Sequence, residues 1–139
     1  MNLTKKSSYG LIATLELASA SNASPQSAVS IAKRYSLPAS FIEKILHELR
    51  HAGLVSSKQG RAGGYFLARS AKDISVRNVL EALGESLDLV GCLKSGSHCD
   101  LTNCCPTKSA WQQIDNQFKD LLDSLSLESL LHSKLELPD

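Results

Sequence analysis

Four cysteines, Cys92, Cys99, Cys104 and Cys105, fall within fourteen consecutive residues, and the other 125 positions hold none. A small secreted domain would spread its cysteines so that disulfides join distant segments. Crowding of this kind suits a soft-metal or redox site, because thiolates select iron–sulfur clusters, zinc or copper(I). Three chemistries are open on residue type alone: cluster ligation, structural zinc, or a thiol–disulfide switch. Cys104 and Cys105 share a peptide bond, so both can hardly face one cluster without strain. Cys105 directly precedes a predicted helix, whose unpaired N–H groups and dipole favour its thiolate.

The segment from Gly91 to Cys105 has neither helical nor strand periodicity and reads as a loop that something must order. Pro106 then opens a long helix in which Trp111, Ile114, Phe118, Leu121 and Leu125 are spaced three, four, three and four apart. That is a narrow a/d seam, expected to pair with a second copy of the chain. Leu127, Leu130 and Leu131 predict a short terminal helix. Upstream, Ser8 to Ala20 predicts a helix burying Ile12, Leu15 and Ala18, with Leu11 widening the face. Ser27 to Arg34 predicts a second helix burying Val29, Ile31 and Ala32. After a turn at Tyr35 to Leu37, Pro38 starts a third helix that buries Ile42, Ile45, Leu46 and Leu49 and ends at Gly53. Strands over Leu54–Lys58 and Tyr65–Ala68 flank a tip with three glycines, and Ser75 caps a helix burying Val76, Val79, Leu80 and Leu83.

Helix, tight turn, helix and glycine-tipped hairpin is the order of a winged helix-turn-helix. The fold class expected is mainly α with a small β-wing, extended by a long C-terminal dimerisation helix. Residues 1–85 form the DNA-binding unit, 86–106 the cysteine loop, and 107–139 the dimerisation helix and tail. A helix fits the major groove and presents its outward side chains to base edges. On the third helix those are Ala39, Ser40, Glu43, Lys44 and His47. Ser40 and Glu43 can accept from a cytosine amino group, or can equally form a Ser-x-x-Glu capping box. Lys44 and His47 can meet phosphate or guanine. Arg61 on the hairpin tip, with Lys58 and Gln59, is a probe for the minor groove or phosphate, whereas Arg50 and Lys33 suit phosphate contacts. Charge supports the division: residues 1–70 hold nine Lys/Arg against three acids, and 71–139 hold six against eleven.

Several runs resemble the Rrf-two family of bacterial winged-helix regulators. They are the opening from Met1 to Gly10, the stretch from Ile31 to Glu43, Leu49 to Ser57, and the wing from Gly60 to Tyr65. The likeness continues through the cysteines to Trp111. It implies a homodimer on a pseudo-palindromic double-stranded operator, acting as a repressor. Cys92, Cys99 and Cys105 resemble the three-cysteine set of the iron–sulfur branch, implying a 2Fe–2S or 4Fe–4S cluster that senses redox state, nitric oxide or iron–sulfur status. Some relatives place a histidine ligand three residues after the last cysteine, where this chain has Lys108, and an ammonium has no lone pair for iron. Others take an acidic ligand from the partner's first helix, where this chain has Ser8. Cys104 and His98 are the candidates for the fourth position, with Asp100 behind them.

A cluster-free regulator with a disulfide switch is the alternative. An iron–sulfur electron carrier would need neither the basic helix-turn-helix nor the wing. His47, His51 and His132 form no catalytic triad pattern, so an enzyme is not expected, nor is a small-molecule substrate. No run of eighteen apolar residues and no secretion signal is evident, and a cytoplasmic location is expected.

Overall fold

The computed structural model describes residues 4–20, 24–61, 63–89 and 106–136. Helices α1 (Lys5–Ser19), α2 (Ala28–Tyr35) and α3 (Ala39–His51) are followed by strands β1 (Val55–Lys58) and β2 (Gly64–Leu67). A 3₁₀ turn at Ala71–Asp73 leads to α4 (Val76–Ala82), and α5 (Lys108–Ser124) and α6 (Leu127–Glu136) complete the chain. The expected class, mainly helical with a small antiparallel hairpin, is what the chain forms. Among the described residues, no helix is long and apolar enough to cross a membrane.

Local chemistry sets the boundaries. The hydroxyls of Thr4, Ser27 and Ser75 accept from the backbone N–H three residues on, capping α1, α2 and α4. At Ser75 the cap is reciprocal, because the Asn78 side chain accepts from the Ser75 N–H at 2.9 Å. Ser36 ends α2 in the left-handed conformation (φ 55°), with its N–H donating to Lys33 O and the Leu37 N–H to Ala32 O. This pattern turns the chain sharply and starts α3 within three residues.

The main core is formed around α3. Ile42, Ile45, Leu46 and Leu49 are wholly buried, as their spacing predicts, and each contributes about 1.5–3 kcal/mol relative to exposure. They meet Ala13 and Leu17 of α1, Ile31 and Ala32 of α2, Val55 and Leu67 of the hairpin, Val79 of α4, and Leu127 of α6. A smaller core joins Val76, Leu80 and Leu87 to Leu122, Leu125 and Leu130.

Two expected faces are corrected. Helix α1 buries Ser7, Gly10, Ala13, Thr14 and Leu17 rather than Ile12, Leu15 and Ala18, which are half-buried. Thr14 tolerates full burial because its hydroxyl donates to Gly10 O at 3.0 Å, and with Ser7, Gly10 and Ala13 it puts small side chains on the closest packing line. Val29 is 61% exposed, because α2 turns Ala28, Ile31 and Ala32 inward instead.

Candidate nucleic-acid interface

Helix α3 has two opposite faces. Behind lies its aliphatic stripe; in front, Ser40, Glu43, Lys44, His47 and Arg50 are all exposed. Ala39 is half-buried and packs on the core. The residue preceding α3 is Pro38, with no side-chain cap. Ser40 therefore lies inside the first turn and does not form the capping box considered for it, which leaves its hydroxyl and the Glu43 carboxylate free of that role. Two contacts from α1 fix the angle of α3. The Tyr9 and Phe41 rings meet edge to face at 5.5 Å, and Lys6 pairs with Glu48 at 2.8 Å.

The hairpin pairs Val55 with Leu67 and Lys58 with Gly64. Lys58, Gln59 and Arg61 are exposed at its tip. The end of the hairpin nearest its tip is held by a segment the sequence does not advertise. The Gln26 N–H donates to Tyr65 O at 2.9 Å, and the Tyr65 N–H donates back to Gln26 O at 2.7 Å. Gly64 permits that approach: its φ is +150°, and a Cβ there would stand 2.7 Å from the Gln26 carbonyl carbon and oxygen. The Gln26 side chain also donates to Glu16 O at 3.2 Å. The Glu16 carboxylate, almost buried, accepts from both Arg34 and Tyr35. The hydrogen bond to Glu16, reinforced by burial and by the carboxylate's charge, pushes the Tyr35 phenol above its ordinary range. Glu16 thus joins α1 to α2 and, through Gln26, to the tip end of the wing. An open depression of about 430 Å³ lies beside this junction, lined by Ser27, Ser30, Arg34 and Arg61 among others.

Helix α5 presents a different surface. Trp111, Ile114 and Leu121 are 39%, 47% and 56% exposed, on one face with the half-buried Phe118. Leu125, the fifth residue of that spacing, lies past the last turn and packs on the chain's own smaller core. The neighbouring face of α5 is polar and inward. Asp115 is 4% exposed, accepts from the Leu89 N–H at 3.1 Å, and pairs with Lys119 at 2.9 Å. Lys119 also reaches Asp88 at 2.8 Å. Burial alone would raise the Asp115 carboxyl, but the hydrogen bonds from Lys119 and Leu89 outweigh it and hold it below the usual range. Asp88 and Asp115 in turn hold the Lys119 ammonium above its ordinary value. This cluster fixes Asp88 and Leu89 to α5 immediately before the cysteine segment.

Residues 3–133 match the description of the Rrf2 family, the iron-dependent transcriptional regulators. The chain belongs to that family. The transcriptional regulator IscR of Pectobacterium carotovorum is 33% identical over 96% of this chain and 81% of its own length. IscR of Escherichia coli is 33% identical over 96% and 82%. Among solved structures, CymR of B. subtilis, a global cysteine regulator, superposes with a TM-score of 0.76 at 30% identity, over 94% of this chain and 95% of that one. T. potens IscR gives 0.74 at 31%, over 100% and 93%. This Rrf2 chain is accordingly a DNA-binding transcriptional regulator, a non-enzymatic role, as the sequence led us to expect.

The expected cluster ligands of this Rrf2 protein, Cys92, Cys99 and Cys105, and the candidates Cys104, His98 and Asp100 lie outside the described residues. Reading the sequence missed Glu16, Gln26 and the Asp88–Lys119–Asp115 group. Glu16 had one signal, an acid flanked by Leu15 and Leu17 in the more apolar second half of α1. Gln26 had none, since its partner lies 39 positions away.

Proposed function

We propose that this protein is a homodimeric repressor that binds a pseudo-palindromic operator with an affinity set by the state of its cysteine segment. One observation carries the DNA reading: α3 is anchored by four wholly buried aliphatics while Ser40, Glu43, Lys44 and His47 are all exposed on its other side. Such a helix can enter the major groove, with Ser40 and Glu43 directed at base edges and Lys44, His47 and Arg50 at phosphate or guanine. Ala39 stands at the rim of that surface. Lys58, Gln59 and Arg61 on the wing meet the backbone or minor groove. The strip of exposed Trp111, Ile114 and Leu121 with half-buried Phe118 supplies the dimer seam and so sets the spacing of two reading heads. Residues 1–85 act as the reading unit, 86–106 as the sensor segment and 107–139 as the assembly arm.

The donor set of the cysteine segment suits an iron–sulfur cluster, because Cys92, Cys99 and Cys105 offer soft thiolates. Lys108 cannot supply a lone pair as an ammonium, so Cys104 or His98 completes the set. Such a group, when bound, supplies a redox-active and nitric-oxide-reactive centre. The chain's own contribution is the anchoring of Asp88 and Leu89 on α5, which ties order in the cysteine segment to the arm. A second reading has one observation in its favour. CymR of Staphylococcus aureus, 29% identical with a TM-score of 0.71, has been solved in an oxidized form, which suits a cluster-free thiol–disulfide switch.

Selection of bound duplexes from a random pool tests the DNA reading. Ser40→Ala and Glu43→Ala then shift base preference, whereas Arg61→Ala weakens every duplex alike and lowers the salt slope by about one. A protein that enriches no sequence would refute it. Anaerobic purification with iron and sulfide counts separates the two sensor readings. Cysteine-to-serine variants at 92, 99 and 105 lose iron under the first reading. A colourless, iron-free protein with a reducible disulfide establishes the second.

A further inference from the structure

Two histidines on α3 stand in a relation that DNA reading does not require. His47 and His51 are separated by one helical turn, and both are exposed. Their Nε2 atoms lie 3.1 Å apart. The rings are nearly perpendicular, at 84°, with centroids 4.6 Å apart. Two neutral imidazoles can share one proton across that gap, or direct both Nε2 lone pairs at a common cation. With metal–nitrogen bonds of about 2.0–2.1 Å, a separation of 3.1 Å gives an angle of about 95–102° at the metal. That lies between the square-planar and tetrahedral values, so neither ring has to move far. Among the described residues no group of three or more candidate ligands is assembled, so the pair is a two-ligand site among them.

We infer that His47 and His51 form a bidentate site for a borderline divalent cation, of the copper(II), nickel(II) or zinc class, on the exposed face of α3. Imidazole donors select those ions over magnesium and calcium, and affinity rises toward copper in the usual order. The ligands are one turn apart on a helix anchored by the core, so binding orders only two side chains. Both rings must offer a free lone pair, so binding requires the neutral imidazoles. The site does not depend on the operator reading.

The test is nickel(II) binding by the untagged full-length protein in equilibrium dialysis, comparing wild type with His47→Gln, His51→Gln, the double variant and His132→Gln. The cysteines contribute equally to all five, so differences report the histidines alone. Each single variant at 47 or 51 is expected to bind one ion fewer per chain, and the double variant to lose no more than either. His132→Gln matches wild type. Both substituted side chains are exposed, so unchanged thermal melting in the absence of metal confirms folding. Equal binding by wild type and His51→Gln overturns the inference. So do losses at 47 and 51 that add, because they would mark two separate sites.

Discussion

Replacing Gly64 with alanine should loosen the wing from the body of the protein. The new methyl would stand 2.7 Å from the Gln26 carbonyl, a backbone group that cannot rotate away, at a φ of +150° that side chains rarely adopt. Backbone strain of this kind costs about 1–3 kcal/mol. Relief by separation breaks the reciprocal Gln26–Tyr65 pair, two hydrogen bonds of about 0.5–1.5 kcal/mol each. Together these destabilise the fold by about 2–6 kcal/mol, a large share of a typical domain's total. With a denaturant slope of about 2 kcal/mol per molar, the urea midpoint falls by about 1–3 M. Gly60 is the matched control. It also has a positive φ, +110°, but nothing lies within 4 Å of a Cβ built there, so Gly60→Ala carries strain alone, about 1–2 kcal/mol. Hydrogen exchange at the Gln26 and Tyr65 amides should accelerate in the Gly64 variant and stay slow in the Gly60 variant. Equal midpoint shifts in the two, with both amides still protected, would refute the argument that contact with Gln26 dominates.

Other perturbations test the remaining contacts. The proposed seam predicts that Ile114→Glu with Leu121→Glu sediments as a monomer while helicity is kept, since both side chains are exposed in the single chain; a dimer that persists contradicts it. Leu127→Ala removes a wholly buried side chain from the main core and should cost about 2–5 kcal/mol in urea unfolding; a loss below about 1 kcal/mol would mean that the tail is not integral to the core. The fold depresses the Asp115 carboxyl, so its stabilising contribution is complete above the ordinary aspartate range near pH 4 and is lost only as the pH falls through the lower folded value. The gap in urea midpoint between wild type and Asp115→Asn should therefore stay constant from about pH 5 to 8 and close in stronger acid; a gap closing near neutrality would assign it to another group.

What could be read in advance was mostly what repeats. The aliphatic stripe of α3 follows its spacing residue by residue, and Gly53 ends that helix at a φ of +82° as a left-handed cap should. Helix α1 was misjudged because counting apolar residues favours Ile12 and Leu15, whereas the tightest packing line carries Gly10, Ala13 and Thr14, which hydrophobicity ranks low. Val29 misled for a related reason: a short helix with few apolar residues defines its face poorly. Ser40 carried the spacing of a capping box, yet the chain turns two residues too early for it, at Pro38. The wing's charged tip was legible from its glycines and cations. Its tether was not, because a pairing of Gln26 with Tyr65 leaves no local pattern.

The junction between α5 and α6 constrains how any signal could travel. There the Val76 N–H donates to Leu125 O at 2.8 Å and the Leu127 N–H to Ile74 O at 2.9 Å, a miniature splice across Ser75 and Ser126. The arm is thus sewn to the first residue of α4 instead of swivelling on a free joint. Twisting α5 about its axis must tear that seam or drag α4 along with it, and α4 shares Val79 with the packing behind α3. Torque applied at the start of α5 would therefore arrive at α3 as a tilt of the whole head.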